Sequence, residues 1–237
     1  MTEFIALGEN CLPDEILTFL QKKGESYPFG SGRFNIEYIT EIVRTDFIDL
    51  MAADKLVKGI TEDKEVVWNT LYKHRHDIFE SSVSQHFEFT HHNIFEEAPR
   101  RSFNRKIQRL KQVLEEKREI VFIYHYKYSS KHNPEVMIDL LDRFLNLLKK
   151  KYGRRYKCIL WYQHPSSAQR KIVVRKDRNV LIGEFFTHDQ WHGETLWNAP
   201  NDRDLFSAFF QHEQLKKYIQ GIQIFLKFDE DRNQQAV

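Results

Sequence analysis

The feature that most restricts the fold is a switch between two hydrophobic periodicities across residues 103–162. Phe103, Ile107, Leu110 and Leu114 recur at helical spacing, and residues 119–124 follow as an apolar run that reads as a strand. Asn133, Pro134 and Glu135 then supply an N-cap, a first-turn proline and an acidic first turn. Met137, Leu140, Leu141, Phe144 and Leu148 form one apolar stripe, and Lys149, Lys150, Lys151 and Gly153 close that helix. Residues 157–161 make the next strand. Parallel strands need a crossover between them, so a helix–strand–helix–strand order implies a parallel sheet with covering helices. The expected fold class is α/β: a single three-layer α/β/α domain over residues 1–237 with a mainly parallel sheet, residues 229–237 forming a frayed tail.

The amino-terminal stretch repeats this logic with chemistry added. Phe4, Ile5, Ala6 and Leu7 run into Gly8 as a buried strand, while Pro13, Asp14 and Glu15 open a helix whose apolar face is Leu12, Ile16, Phe19 and Leu20. Cys11 therefore falls between the carboxyl end of a strand and the amino end of a helix, where open α/β sheets hold ligands. Further on, residues 35–51 read as a helix with Ile36, Ile39, Ile42 and Val43 inward, and residues 66–68 and 87–90 as strands. Residues 170–175 and 180–186 form a hairpin or two further strands, and Leu205, Phe206, Phe209 and Phe210 begin a terminal helical region. Gly30 and Gly32 lack the preceding strand and third glycine of a dinucleotide fingerprint.

Composition narrows the class of protein. A 237-residue chain that is 41% hydrophobic can bury a proper core, and a net charge of +2 argues against a nucleic-acid partner. Two cysteines, Cys11 and Cys158, make no disulfide scaffold and fit a reducing cytoplasm. No basic-then-apolar leader opens the chain and no apolar run is long enough for a bilayer, so a cytoplasmic protein without membrane contact is expected.

Cys11 leads the chemistry. A thiol at a helix amino end is an activated nucleophile when a base reaches it. The Asn10 amide and the Leu12 N–H are candidate oxyanion donors. The bland alternative is a small cysteine packing a tight turn. His91 and His92, after the 87–90 strand, are the candidate bases, an imidazole being suited to proton transfer near neutrality. His188 and His192 form a second pair, with Asp189 or Glu194 as orienting carboxylates. Eleven histidines raise the question of a metal, but no ligand motif is present and neither a metal nor another cofactor is expected. Arg100, Arg101, Arg105, Lys106 and Arg109 crowd one helix start, where cations oppose the dipole. They either hold an anionic ligand such as a phosphate or pair with Glu96, Glu97, Glu115 and Glu116.

Residues 7–11 (Leu-Gly-Glu-Asn-Cys), residues 26–29 (Ser-Tyr-Pro-Phe), the histidine after Phe89, and Arg100, Arg101, Arg105 and Arg109 together resemble a family named for a papain-like cysteine peptidase activity. Trp191, His192, Gly193, Glu194 and Trp197 are similar to that family's closing signature. The resemblance implies Cys11 as nucleophile, His92 or His91 as its partner, and Gly8, Ser26, Tyr27 and Trp191 at the substrate site beside Arg100, Arg101 and Arg105. The chain departs from the family in having Gly30 where Asp is usual, and Glu194 instead of Asp. A cysteine after an opening parallel strand suits a Ser-Gly-Asn-His-hydrolase-like or Rossmann-like sheet better than a papain-like one. The expected activity is hydrolysis of an amide or ester through an acyl-enzyme on Cys11. The alternatives are an acyltransferase in glycan or polysaccharide biosynthesis, and a non-catalytic binder of a phosphorylated glycan or nucleotide. The expected ligand is a small molecule, peptide or glycan, anionic in the reading that uses the arginines.

Overall fold

The alternating stretch does build a layered sheet, and the rest of the chain wraps it. Residues 2–8, 10–30, 32–61, 63–72, 87–116, 118–127, 133–165, 167–188 and 202–219 are described by the structure, a computed structural model. In chain order the elements are β1 (Thr2–Gly8), α1 (Leu12–Phe19), α2 (Ile36–Arg44), β2 (Leu56–Thr61), β3 (Lys64–Asn69), β4 (Phe87–Phe89) and α3 (Glu97–Glu115). There follow β5 (Glu119–Lys127), α4 (Pro134–Tyr152), β6 (Lys157–His164), β7 (Lys171–Asp177), β8 (Val180–Phe186), α5 (Arg203–Gln211) and α6 (Glu213–Tyr218).

The main sheet runs β1-β5-β6-β8-β7. Its first four strands are parallel, and β7 closes one edge antiparallel to β8. Residue alternation splits the sheet between two apolar layers. Ile5, Leu7, Ile120, Phe122, Tyr124, Leu160 and Tyr162 pack with α2, α3 and α4. Phe4, Ala6, Val121, Ile123, Ile159, Trp161, Leu181 and Phe185 pack with α1, α5 and α6. Strands buried on both faces read as continuous apolar runs, which is why β1, β5, β6 and β8 were visible in the sequence. The architecture is the three-layer α/β/α arrangement expected.

A second, antiparallel sheet, β2-β3-β4, joins the first of these layers. Phe87 stacks on Phe34 at 4.1 Å between ring centroids, and Phe89 meets Phe103 edge-on at 5.0 Å. Its edge strand β2 gives no sequence signal because Val57, Lys58 and Ile60 are exposed and only Leu56 is buried. Gly59 lies under the Trp68 ring, where a Cβ would come within 2.5 Å of the indole.

The helix expected over residues 35–51 stops at Arg44. Asp46 and Phe47 take φ of 56° and 66°, left-handed values that end an α-helix. Lys111 and Lys151 each reach the Asp46 carboxylate at 2.8 Å, and the Phe47 ring is buried, so tertiary contacts hold the break. The basic cluster from Lys73 to His76, and residues 229–237, lie outside the described residues. Among the described residues no helix is long and apolar enough to cross a membrane.

Candidate active site at the carboxyl edge of the sheet

Gly8 ends β1 with φ +155°, and a Cβ there would meet Pro13 Cγ at 3.4 Å. A glycine thus lets the chain fold tightly into α1. Cys11 is the N-cap of that helix, its carbonyl accepting the Glu15 N–H at 3.1 Å. Its thiol is half-buried. Asn10 closes the turn by accepting the Leu12 N–H on Oδ1 at 3.0 Å. Both expected oxyanion donors are therefore engaged within the protein: Leu12 N–H by Asn10, and Asn10 Nδ2 by a neighbouring imidazole.

That imidazole is His125, which the sequence reading passed over. It sits opposite Gly8 in the β1–β5 register and is fully buried. Asn10 Nδ2 lies 3.0 Å and Asn10 Oδ1 3.3 Å from His125 Nδ1. His125 Nε2 lies 3.3 Å from Gln163 Oε1, and Gln163 Nε2 donates to Thr187 Oγ1 at 2.7 Å. When Nδ1 accepts from the closer Asn10 Nδ2, the ring proton is on Nε2 and points at Gln163 Oε1. A row of buried polar side chains thus crosses the carboxyl ends of β1, β5, β6 and β8, on the α1, α5 and α6 side. Its one trace in the sequence is a polar residue near the end of each of two apolar strands, His125 in β5 and Gln163 in β6.

The expected bases make contacts of their own. His91 is exposed, and His92 takes a hydrogen bond on Nε2 from Lys106 Nζ at 2.9 Å and packs edge-on to Phe103. Burial, then the Lys106 charge, pushes the His92 imidazole down to about 4. No hydrogen bond joins either residue to Cys11 among the described contacts. His164 is on the opposite face of the sheet, 2.6 Å from Glu184 and stacked on Phe186. His188 is exposed, and its N–H donates to Asp202. Asp189, Trp191, His192, Glu194 and Trp197 lie outside the described residues.

The residues read as substrate-binding have other engagements. Tyr27 is buried, and its hydroxyl donates to Glu3 at 2.8 Å, near the opposite end of β1 from Cys11. Burial and then Glu3 hold that phenol well above its usual range. The Ser26 carbonyl accepts from Arg109 at 2.7 Å. Arg100 donates to the Met51 carbonyl at 2.6 Å, and Arg101 pairs with Glu97 one turn earlier. Arg105 is exposed. Of these arginines Arg101 makes one of the glutamate pairs expected for a solvated helix face, whereas Arg109 pairs with Glu25 and Arg100 with a backbone carbonyl. Gly30 lies against α1, where a Cβ would stand 3.2 Å from Asp14 Oδ1. Cys158 is fully buried in the core, which pushes its thiol far up and leaves Cys11 as the accessible sulfur. Among the described residues no cluster of three or more His, Cys, Asp or Glu could hold a metal ion.

A half-buried cysteine at a helix start, at the carboxyl edge of a mainly parallel sheet and next in sequence to an asparagine bonded to a buried imidazole, defines the class of a thiol-bearing α/β protein. The family described as "Putative papain-like cysteine peptidase (DUF1796)" matches residues 2–163, more than half of the chain, and the chain belongs to it. The matched stretch contains Asn10, Cys11, His125 and Gln163 and ends before β7, so the Trp191–Trp197 likeness falls beyond it. No curated protein and no solved structure matched the chain.

Proposed function

We propose that the chain is a thiol-dependent hydrolase of an amide or ester bond, working through an acyl-enzyme on Cys11. The observation that carries this is the placement of an accessible sulfur at the N-cap of α1, on the ligand-binding edge of the sheet. There the positive end of the helix dipole favours the thiolate. The thiolate adds to the acyl carbon, the tetrahedral oxyanion collapses with loss of an amine or alcohol, and water then releases the acid from sulfur. An oxyanion formed on Cys11 competes with Asn10 Oδ1 for the Leu12 N–H, so acyl transfer is coupled to a small movement of the Asn10 carboxamide. The acyl donor is a peptide, glycan or small-molecule amide or ester.

The test uses p-nitrophenyl acetate as a minimal acyl donor. The expected result is transient acetylation mapped to Cys11, with turnover falling by about a hundredfold or more in Cys11→Ser. Acetylation that never reaches Cys11, together with an ordinary thiol titration, would overturn the proposal.

A further inference from the structure

We infer that His125 is the general base of this site and that Gln163 is the positioning residue that orients its ring. The inference rests on Cys11 being the nucleophile, and it replaces the His91–His92 pair with an imidazole delivered by the sheet itself.

A structural, permanently neutral histidine is satisfied by one donor and one acceptor. His125 has more than that: Nε2 faces the Gln163 carbonyl oxygen, while Nδ1 faces both atoms of the Asn10 carboxamide, Nδ2 at 3.0 Å and Oδ1 at 3.3 Å. In the neutral ring Nδ1 accepts from Asn10 Nδ2. Once Nδ1 carries a proton it has Asn10 Oδ1 within hydrogen-bonding range, and Nε2–H keeps Gln163 Oε1. Both protonation states therefore find partners with little rearrangement, as a group that takes and returns a proton requires. Asn10 and Gln163 both present amide dipoles to this ring, and oriented dipoles of that kind stabilise an imidazolium.

Position agrees with this. Nδ1 points at the Asn10–Cys11 turn, and Gln163 occupies the place of the third member that orients a catalytic imidazole, itself held by Thr187 Oγ1 at 2.7 Å. The rival rings are used otherwise. His92 spends Nε2 on Lys106, and His164 spends Nε2 on Glu184 across the sheet. Burying His125, Gln163 and Thr187 in an otherwise apolar layer costs stability that apolar side chains would not, which fits a row retained for chemistry.

The proton balance closes. The Sγ–H bond of Cys11 breaks, and its proton goes to His125 Nδ1 as the sulfur pair attacks the acyl carbon. The imidazolium gives that proton to the departing amine or alcohol. Water then loses a proton to Nδ1 as its oxygen attacks the thioester; the C–S bond breaks, the acid leaves, and Nδ1 returns that proton to Sγ, restoring thiol and neutral imidazole.

The experiment follows iodoacetamide alkylation of Cys11 across pH, and p-nitrophenyl acetate turnover, in the full chain. In the wild type the alkylation inflection is expected below the ordinary thiol range. In His125→Gln it should return to that range, with turnover falling by roughly 10²–10⁴-fold. Gln163→Leu should give a smaller shift in the same direction. Gln163→Glu, which keeps an acceptor at Nε2, should restore the profile, and a merely structural role would not predict that rescue. His92→Gln should change neither readout. A pH profile indifferent to His125→Gln, or abolished by His92→Gln, would overturn the inference. Should His125→Gln fail to fold, the ring is followed by NMR in wild type and in Cys11→Ser. A change in His125 titration on losing the thiol supports the pairing, and identical titration overturns it. Acetylation of Cys11 that persists unchanged without His125 sinks this inference alone, whereas absence of acetylation sinks the hydrolase proposal as well.

Discussion

Glu88 is a carboxylate fully buried in the central residue of β4, and four neighbours make that tolerable. Thr61 and Thr90 donate hydroxyl hydrogen bonds at 2.7 and 2.8 Å, Trp68 Nε1 donates at 3.2 Å, and Arg33 Nε stands 3.6 Å away as counter-charge. The Arg33 and Glu88 backbones are also hydrogen-bonded to each other, which ties the loop after Gly32 to the small sheet. Removing the carboxylate leaves three donors without that acceptor and takes a counter-charge away from Arg33. Glu88→Ala is therefore expected to cost about 3–5 kcal/mol in urea unfolding. Glu88→Gln should cost less, because an amide oxygen can still accept from Thr61 or Trp68. Equal losses in the two variants would show that charge pairing, not hydrogen bonding, dominates this site.

At the scale of elements, α5 is seated on the sheet by aromatic rings. Phe206, Phe209 and Phe210 surround Trp161 with centroids 5.1, 5.3 and 5.5 Å away. Gly183 in β8 makes room for them, since a Cβ there would lie 2.6 Å from Phe209 and 2.8 Å from Phe185. Gly183→Ala is expected to lower stability by about 1–3 kcal/mol through overpacking and to weaken the near-ultraviolet circular dichroism of Trp161. An unchanged aromatic signal would mean that α5 does not depend on this contact. Such packing explains what was legible in the chain. α3, β5, α4 and β6 announce themselves because each is apolar along one stripe or throughout. β2 does not, because an exposed edge strand has no face to conceal. The helix from Ile36 reads too long because the left-handed turn at Asp46 and Phe47 is imposed by Lys111 and Lys151, distant in sequence. Cys11 could be placed at a strand–helix junction from local signals alone. His125 could not, because β5 loses its aliphatic character after Ile123 and reads as ending at Tyr124, although it continues to Lys127. The partners that make His125 meaningful come from the turn after β1, from β6 and from the residue after β8, and no single window of sequence contains them.

For the molecule as a whole, the response to acid can be ordered from its ionisable groups. Unfolded, His92 titrates near 6.5; folded, burial and the Lys106 ammonium hold it down to about 4. Below pH 6.5 the unfolded chain thus takes up a proton that the folded chain refuses. The contribution is intact above pH 6.5 and drains away as the pH falls toward 4. Lys106 is itself lowered by burial, but its proton exchange belongs to the alkaline side and does not enter this window. Asp46, lowered chiefly by hydrogen bonds from Lys111 and Lys151, and Glu119, lowered chiefly by Lys157, act later. Their contributions are present above the unfolded carboxylate values and are lost as the pH drops through the still lower folded ones. Acid should therefore weaken the fold in two stages, the first belonging to one imidazole between α3 and the loop after β4. His92 is partly solvated, so the first-stage slope should fall short of the one-proton limit of about 1.4 kcal/mol per pH unit. Urea midpoints measured from pH 8 to pH 4 should decline through the first stage in the wild type. They should stay flatter in His92→Leu, which packs on Phe103 without a titrating group, while both proteins decline together at lower pH. Parallel curves through the upper stage would show that the acid sensitivity arises elsewhere than at the His92–Lys106 contact.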